Sequence, residues 1–484
     1  MDMKKSKKLL AYLAAAYWVL VILVYLVAHP QFRYTNVISD SLSASMTVGE
    51  VVDGMEITQT VIVPANELRD ISLMTATYGR VNQGEVILML SDMQGNKLAR
   101  EVVSASVFAD NKYTTVNLAE PIVGRKGEML NLSIATQGST PGNAITVFAG
   151  NTVTTGRFDI VQNISEEDRY KINDQSGLGK LCVKIGGVDE LNFYKTYWLL
   201  VTGVFAVIAA LCVRWWKQAK QNRNNPLVAI CTMCTRYQFL IKQLVGRDFK
   251  TKYKRSVLGM AWSFLNPLLT MCVQYIVFST LFKSDIPNYS VYLLTGIVFM
   301  NFFSEAVSMG MTSITGNASL IKKVYMPKYI YPVSRVISSL VNFMIALIPL
   351  MLVMLLNGLW PRPALLLLVF DILCLLGFVV GMGLLLTTAM TFFQDTQFLW
   401  GVVSMMWMYL TPIFYPESII PSKLLTLYHM NPMYQYITFA RICIIDGVSP
   451  APMAYLWCII SSATVLMLGV FVFKKNQDKF VLYL

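Results

Sequence analysis

The feature that most limits what this chain can become is a repeated apolar run about 20 residues long. A helix of that length crosses the roughly 30 Å hydrocarbon core of a bilayer, and a helix satisfies its backbone polar groups within its own segment. Eight such runs are present: Leu9–Ala28, Tyr197–Val213, Leu258–Leu281, Val291–Ser313, Val336–Leu356, Ala364–Met390, Phe398–Tyr415 and Met453–Phe473. With 55% hydrophobic and only 14% charged residues over 484 positions, the chain reads as a multi-span α-helical membrane protein with about eight transmembrane helices.

Charge gives the expected sidedness. Residues 30–194 hold 13 Lys/Arg against 19 Asp/Glu, whereas the rest of the chain holds 27 against 9. Cations accumulate on the cytoplasmic side of membrane proteins, so the acidic block is expected outside and both termini inside. Four lysines within residues 1–8 precede the first run. That run is longer than a signal-peptide core and lacks a small-residue cleavage site, so it reads as an uncleaved anchor. The second run ends at Arg214-Trp215-Trp216-Lys217, an interfacial aromatic pair with cations. Lys322, Lys323, Lys328 and Arg335 mark the loop 316–335 as cytoplasmic, and Lys474, Lys475 and Lys479 do the same for the C-terminal tail. Because the cations flank apolar runs, the basic excess argues for lipid rather than nucleic acid. Of the eight cysteines, only Cys182 falls in residues 30–194, which excludes a disulfide inside that block. The single CxxC at Cys231 and Cys234, with only His29 and His429 elsewhere, is too few ligands for a zinc site, so no bound metal or cofactor is expected.

Residues 30–194 read as an all-β domain. Alternating runs recur at Glu56–Val63, Asp70–Thr77, Glu85–Ser91, Tyr113–Leu118, Met129–Thr136 and Ala144–Phe148, separated by turn signals such as Gln94-Gly95-Asn96 and Pro141-Gly142-Asn143. The spacing predicts an antiparallel, jelly-roll-like sandwich. Its strand rhythm resembles the galactose-binding or carbohydrate-module type. Tyr78, Phe108, Tyr113 and Phe148 are candidates to stack on sugars and equally candidates for the core. The polar segment Asp159–Asp189 is expected to be a stalk back to the membrane.

Between Arg214 and Arg255 eleven cations face a single acid, Asp248. Within that stretch Ile241, Val245, Phe249 and Tyr253 recur every four residues, with Lys242, Arg247, Lys250, Lys252, Lys254 and Arg255 between them. This predicts a basic amphipathic helix in the headgroup layer that runs on into a span. Glu305 and Asp371 lie inside spans, where an ionised carboxylate costs about 2.5–3.5 kcal/mol on insertion scales, so each should face a wet cavity or a partner. Pro416–Val448 is too apolar for a free loop and too broken for a span, and suits two short re-entrant helices.

From Leu244 to the C-terminus the chain resembles the permease subunits of ABC exporters for cell-surface polysaccharides: O-antigen, teichoic acid and capsule. The resemblance is carried by RDFKTKYKRSVLGMAWSFLNPLL at 247–269, NASLIKKVYMPKYIYPVSR at 317–335, FFQDT at 392–396, TPIFYPESIIP at 411–421 and NPMYQYITFAR at 431–441. Gln394 stands where the family usually has an arginine, and the first ~230 residues are an addition to the family's plan. The resemblance implies export of a glycan on a polyprenyl diphosphate lipid, a homodimer of permeases, and two copies of a separate ATPase. The chain has no phosphate-binding loop of its own, since Gly179-Lys180 is followed by Leu181. It also implies a coupling helix within Ala318–Tyr325, with Leu320, Lys322, Lys323, Tyr325 and Met326 at the ATPase contact. Arg247, Lys250, Lys252 and Lys254 would attract the lipid diphosphate to a portal. Phe302, Phe303, Trp400, Trp407, Tyr409, Phe414 and Tyr415 would wall the translocation path, and Pro416–Arg441 would gate its outer mouth. An exporter of small molecules and a membrane-anchored glycan-binding sensor or adhesin remain open as alternatives. A membrane glycosyltransferase is disfavoured by the scattered cytoplasmic carboxylates Asp248, Asp395 and Asp478.

Overall fold

A computed structural model describes residues 3–39, 44, 46–150, 158–162, 180–220, 237–253, 259, 261–281, 288–323, 326–417, 420 and 422–483. It divides into a helical unit, Met1–Phe32 with Phe193–Leu484, and a β unit, Arg33–Asn192.

The helical unit opens with α1 (Met3–Arg33) and α2 (Phe193–Lys220). These pair through aromatics whose polar ends find backbone acceptors: Tyr17 donates to the Val201 carbonyl at 2.9 Å and Tyr197 to the Val21 carbonyl at 2.8 Å. Tyr25 packs on Tyr197 and Trp198, and Phe32 reaches Tyr455. Next come α3 (Gln238–Tyr253), α4 (Ala261–Leu281), α5 (Tyr289–Met311), the short α6 (Ala318–Lys323) and α7 (Ile330–Leu356). Then follow α8 (Leu368–Phe392), α9 (Thr396–Leu410), α10 (Ser422–His429), α11 (Pro432–Arg441), α12 (Pro452–Asn476) and α13 (Phe480–Tyr483).

Among the described residues seven helices are long and apolar enough to cross a membrane. The eighth expected span, α9, has 15 residues, about 22 Å at 1.5 Å per residue, and stops before Thr411-Pro412. The stretch expected to hold two short re-entrant helices contains two short helices, α10 and α11. Asn431 caps α11 by accepting from the Met433 amide at 3.1 Å, and Pro432 follows at the first helical position.

Helix α5 forms the centre, with most of its residues buried against α7, α8 and α4. Close approach elsewhere needs small residues, because helices in lipid associate by packing rather than by expulsion of water. At the α8–α12 crossing a Cβ on Gly381 would lie 2.5 Å from the Val465 carbonyl oxygen, and one on Gly469 would meet the Gly381 carbonyl.

In the β unit two antiparallel sheets enclose one apolar core. One sheet runs β10 (Phe158–Gln162), β3 (Met55–Ile62), β8 (Met129–Gln137), β5 (Glu85–Ser91), β6 (Lys97–Ser104). The other runs β1 (Tyr34–Ile38), β12 (Val183–Glu190), β4 (Glu67–Ala76), β9 (Thr146–Gly150), β11 (Lys180–Leu181), with β7 (Lys112–Val123) on β4 and β2 (Met46–Glu50) on β9. Alternation places Ile57, Val61, Val86, Leu88, Leu90, Leu130, Leu132 and Ile134 inside.

The stalk expected at Asp159–Asp189 is corrected. Phe158–Gln162 pairs with β3, and Val183–Glu190 is a strand held between β1 and β4; residues 163–179 lie outside the described set. Gly186-Gly187 hid this strand from the sequence pattern. A side chain at Gly186 would collide with the Asp70 carboxylate, which lies over that bare backbone.

Candidate functional site

The residues expected to act cluster in three places on the helical unit, and the structure sorts them. At the basic helix, Ile241 and Val245 of the apolar stripe are half-buried and the Phe249 and Tyr253 side chains lie outside the described set, while α3 buries Leu244 and Asp248. The reason is electrostatic. Asp248 is paired with Arg335 of α7 at 3.1 Å and with neighbouring Arg247 at 3.2 Å, and Ser338 lies 3.5 Å from its other oxygen. Arg247 also reaches the Asn317 side-chain oxygen at 3.4 Å, immediately before α6. Arg247 and Lys250 line a surface recess of about 550 Å³ together with Gln243, Gly246 and Thr251. The Lys252 side chain and all of Lys254 lie outside the described set, as does the CxxC of Cys231 and Cys234.

The segment expected to meet an ATPase forms α6. Leu320 and Met326 turn inward, onto a small cluster of Ile314, Tyr331, Leu384, Phe473 and Phe480. Lys322 and Lys323 stand exposed at its end; Tyr325 is outside the described residues. The C-terminal tail braces this segment, with Lys328 Nζ donating to the Gln477 carbonyl at 2.6 Å.

The aromatic residues expected along a path divide into packed and exposed sets. Phe303 and Trp400 are buried and form one cluster with Phe378 and Trp407, with ring centroids 5.2–6.4 Å apart. Within one chain they are core, because large rings packed edge to face bury area on all sides. Phe302 stacks on Phe343 at 4.6 Å, and Phe414 stacks on Phe278 at 5.2 Å. Trp407 donates to Asn431 at 2.8 Å, and the Tyr415 hydroxyl donates to the Tyr409 carbonyl at 2.9 Å. Tyr409 alone of the seven is largely exposed.

Sequence reasoning missed the residue that organises the end of α9. Arg441, at the end of α11, is buried and donates to three backbone carbonyls: Pro412 at 2.8 Å, Ile413 at 3.1 Å and Tyr292 at 3.1 Å. Its guanidinium lies 3.3 Å from the Tyr292 ring centroid. Gly296 makes the room, since a Cβ there would come within 2.9 Å of the guanidinium. Tyr289 and Tyr292 hold the same turn through the Phe414, Pro412 and Tyr415 carbonyls. Glu417, paired with His429 at 2.8 Å and accepting from the Tyr434 hydroxyl at 2.5 Å, ties α10 and α11 together. The available signal was an arginine ending an otherwise apolar helix.

Of the two acids inside spans, Glu305 accepts from Asn342 Nδ2 at 2.9 Å beside a cleft between α4, α5 and α7. Asp371 is fully buried within the chain, and neither carboxyl oxygen has a partner among the described residues. No cluster of three metal-ligating side chains occurs among the described residues. In the sandwich, Phe108 is core, Phe148 and Tyr113 are half-buried, and Tyr78 is exposed. Tyr78 holds a left-handed φ of 56° in a loop fixed by Asp110, which accepts from the Thr77 and Tyr78 amides. Those bonds, the Thr77 amide first, hold the Asp110 carboxyl below the usual carboxylate range.

These features define a polytopic helical membrane protein with broken helices after α9 and a β domain carried between its first two spans. Residues 239–445 match the model of the ABC-2 type transporter family. The chain is 33% identical over 205 residues to the O-antigen export system permease protein RfbA of Myxococcus xanthus, covering 42% of this chain and 78% of that protein. It is 30% identical over 216 residues to an RfbA of Klebsiella pneumoniae, covering 43% and 81%. It is 26% identical over 199 residues to the capsule polysaccharide export inner-membrane protein CtrC of Neisseria meningitidis serogroup A, covering 40% and 74%. The chain belongs to the ABC-2 type transporter family. The family match begins at residue 239, so α1, the sandwich and α2 lie outside it.

Proposed function

We propose that the chain is the transmembrane subunit of an ABC exporter that carries a lipid-linked cell-surface polysaccharide across the cytoplasmic membrane. The observation that carries this reading is the similarity from α3 through α11 to permeases named for O-antigen and capsule export. Two copies of the chain work with two copies of a separate ATPase, which supplies ATP and Mg²⁺ chemistry while this chain binds no cofactor. The ATPase docks at α6, where Lys322 and Lys323 are exposed and Leu320 and Met326 anchor the helix to the bundle. Arg247 and Lys250 beside the recess on α3 draw the anionic lipid headgroup. The sandwich lies on the far side of the membrane, where Tyr78, 54% exposed and beside Arg80, offers a ring to sugar C–H faces.

The test is purification of the chain from its native membrane with whatever ATPase accompanies it. A stoichiometric ATPase is expected, lost when Lys322 and Lys323 are both changed to Glu, together with loss of surface polysaccharide. Normal surface polysaccharide in cells lacking the chain sinks the proposal.

A further inference from the structure

Arg247 on α3 is held by partners that an incoming anion can replace. Its Nη2 donates to the Asp248 carboxylate at 3.2 Å and to the Asn317 side-chain oxygen at 3.4 Å, and its Nε reaches Asp248 at 3.3 Å. A well-formed guanidinium–carboxylate bond is shorter, about 2.7–2.9 Å, so Arg247 is loosely tied. Its side chain is 48% exposed and lines the recess on α3 beside Lys250. Asp248 does not depend on it. That carboxylate, only 5% exposed, keeps Arg335 at 3.1 Å and Ser338 at 3.5 Å. One arginine neutralises one carboxylate, so departure of Arg247 strands no buried charge. Asn317 is affected differently. It is buried, its Nδ2 is committed to the Ser313 carbonyl at 2.8 Å, and Arg247 is the donor to its Oδ1. Asn317 closes the turn Thr315–Asn317, and α6 begins at the next residue. Six residues make a marginal helix on their own, so the setting of α6 follows its anchors. A buried acceptor that loses its donor must find another, and the turn moves with it.

We propose that Arg247 is a switch that reports an anionic diphosphate in the α3 recess to α6. The anion draws the guanidinium away from Asp248 and Asn317, because its oxygens offer shorter, charge-assisted bonds in the fork geometry. Asn317 then re-pairs, and the turn that fixes α6 leaves its resting setting. The proposal rests on the polysaccharide-export reading and adds how arrival of the headgroup reaches the ATPase at α6. Linkage makes the effect reciprocal. A weaker Arg247–Asn317 contact raises affinity for the anion, and a stronger one lowers it.

The experiment uses the full chain with its ATPase in nanodiscs, titrated with polyprenyl diphosphate, with phosphatidylglycerol at equal charge, or with inorganic pyrophosphate. Hydrolysis should rise with polyprenyl diphosphate. A matching rise with phosphatidylglycerol would overturn the switch, because surface charge alone would then suffice. A rise with pyrophosphate as well assigns the response to the free anion, and a rise with the lipid alone assigns it to the headgroup at the membrane; both support the switch. Asn317→Ala removes the tie, so basal hydrolysis should rise and half-maximal stimulation should need about ten-fold less polyprenyl diphosphate. Asn317→Asp strengthens the tie by adding a carboxylate, so basal hydrolysis should fall and about ten-fold more lipid should be needed. A merely structural role moves both variants the same way. Wild-type behaviour of both, or shifts of one sign, would overturn the switch. Hydrogen exchange over residues 315–323 in the full chain without its ATPase is a second readout. Polyprenyl diphosphate should speed it in the wild type, and unchanged exchange would count against the switch. Failure of the export reading shows separately, as normal surface polysaccharide when the chain is deleted.

Discussion

A single arginine holds the end of α9 in place. Beyond Leu410 the chain leaves helical geometry, and the carbonyls of Pro412 and Ile413 lose their helical partners. In an apolar setting such carbonyls must be satisfied locally, and the planar fork of Arg441 serves both while also bonding Tyr292. A lysine carries its three donors on one nitrogen and has no planar fork, so it does not reproduce the spacing of the guanidinium across these acceptors. Arg441→Lys should therefore destabilise the purified chain by about 1–3 kcal/mol, the cost of leaving a buried acceptor unpaired. An unchanged thermal midpoint in detergent would remove this role. Arg441 was visible in the sequence as part of a motif, but its partners lie 28, 29 and 149 residues away. Nothing in local spacing names such partners, and the same holds for Glu305 and Asn342, 37 residues apart.

Elements were legible wherever period and length agreed. The long apolar runs became helices, and the four-residue periodicity at 241–253 fell on α3. What the period did not give was which face of α3 meets protein. Apolar spacing assigned Ile241 and Val245 to the acyl chains, and the face packed on α7 carries Asp248, whose burial is compensated by Arg335 at 3.1 Å. Glycine roles were equally hidden. Gly381 sits where a side chain would strike the backbone of α12, whereas a Cβ at Gly401 in α9 would meet nothing within 4 Å. Gly381→Ala is expected to cost about 1–3 kcal/mol through overpacking. Gly401→Ala is expected to be neutral or to stabilise by about 0.5–1 kcal/mol through helix propensity. Thermal midpoints of the two variants check the pair, and equal effects would refute the close crossing of α8 and α12.

At the scale of the molecule, one chain builds two cores by two different rules. The helical unit buries its small residues and rings between helices, while the sandwich buries alternate residues of paired strands. Strands β1 and β12 are neighbours, with Tyr34 opposite Glu190, so the β unit begins and ends at adjacent points. That closure and its own apolar core predict that a fragment of residues 33–192 folds alone, checked by circular dichroism and a cooperative melt. Its stability should fall in acid. The Asp110 carboxyl is held below its unfolded value by the Thr77 and Tyr78 amides, so its stabilising share is complete above about pH 4 and is lost as pH drops through the folded pKa. Asp110→Asn should be less stable than the wild type at neutral pH, with the difference closing below about pH 4. A constant difference across that range would show that the carboxylate charge does not hold the loop.

The sequence by itself determined the membrane class, the inserted β block, the order of spans and the family resemblance, since all of these follow from run length, period and charge placement along the chain. The tertiary structure decided what depends on residues far apart: that Val183–Glu190 is a sheet strand, that Phe303 and Trp400 are packed inside one chain, that Arg441 caps a broken turn, and that Arg247 meets Asn317, 70 residues away. Local periodicity reports which face of an element is apolar. Only packing reports what that face is set against, because burial and hydrogen bonding are satisfied by partners from anywhere in the chain.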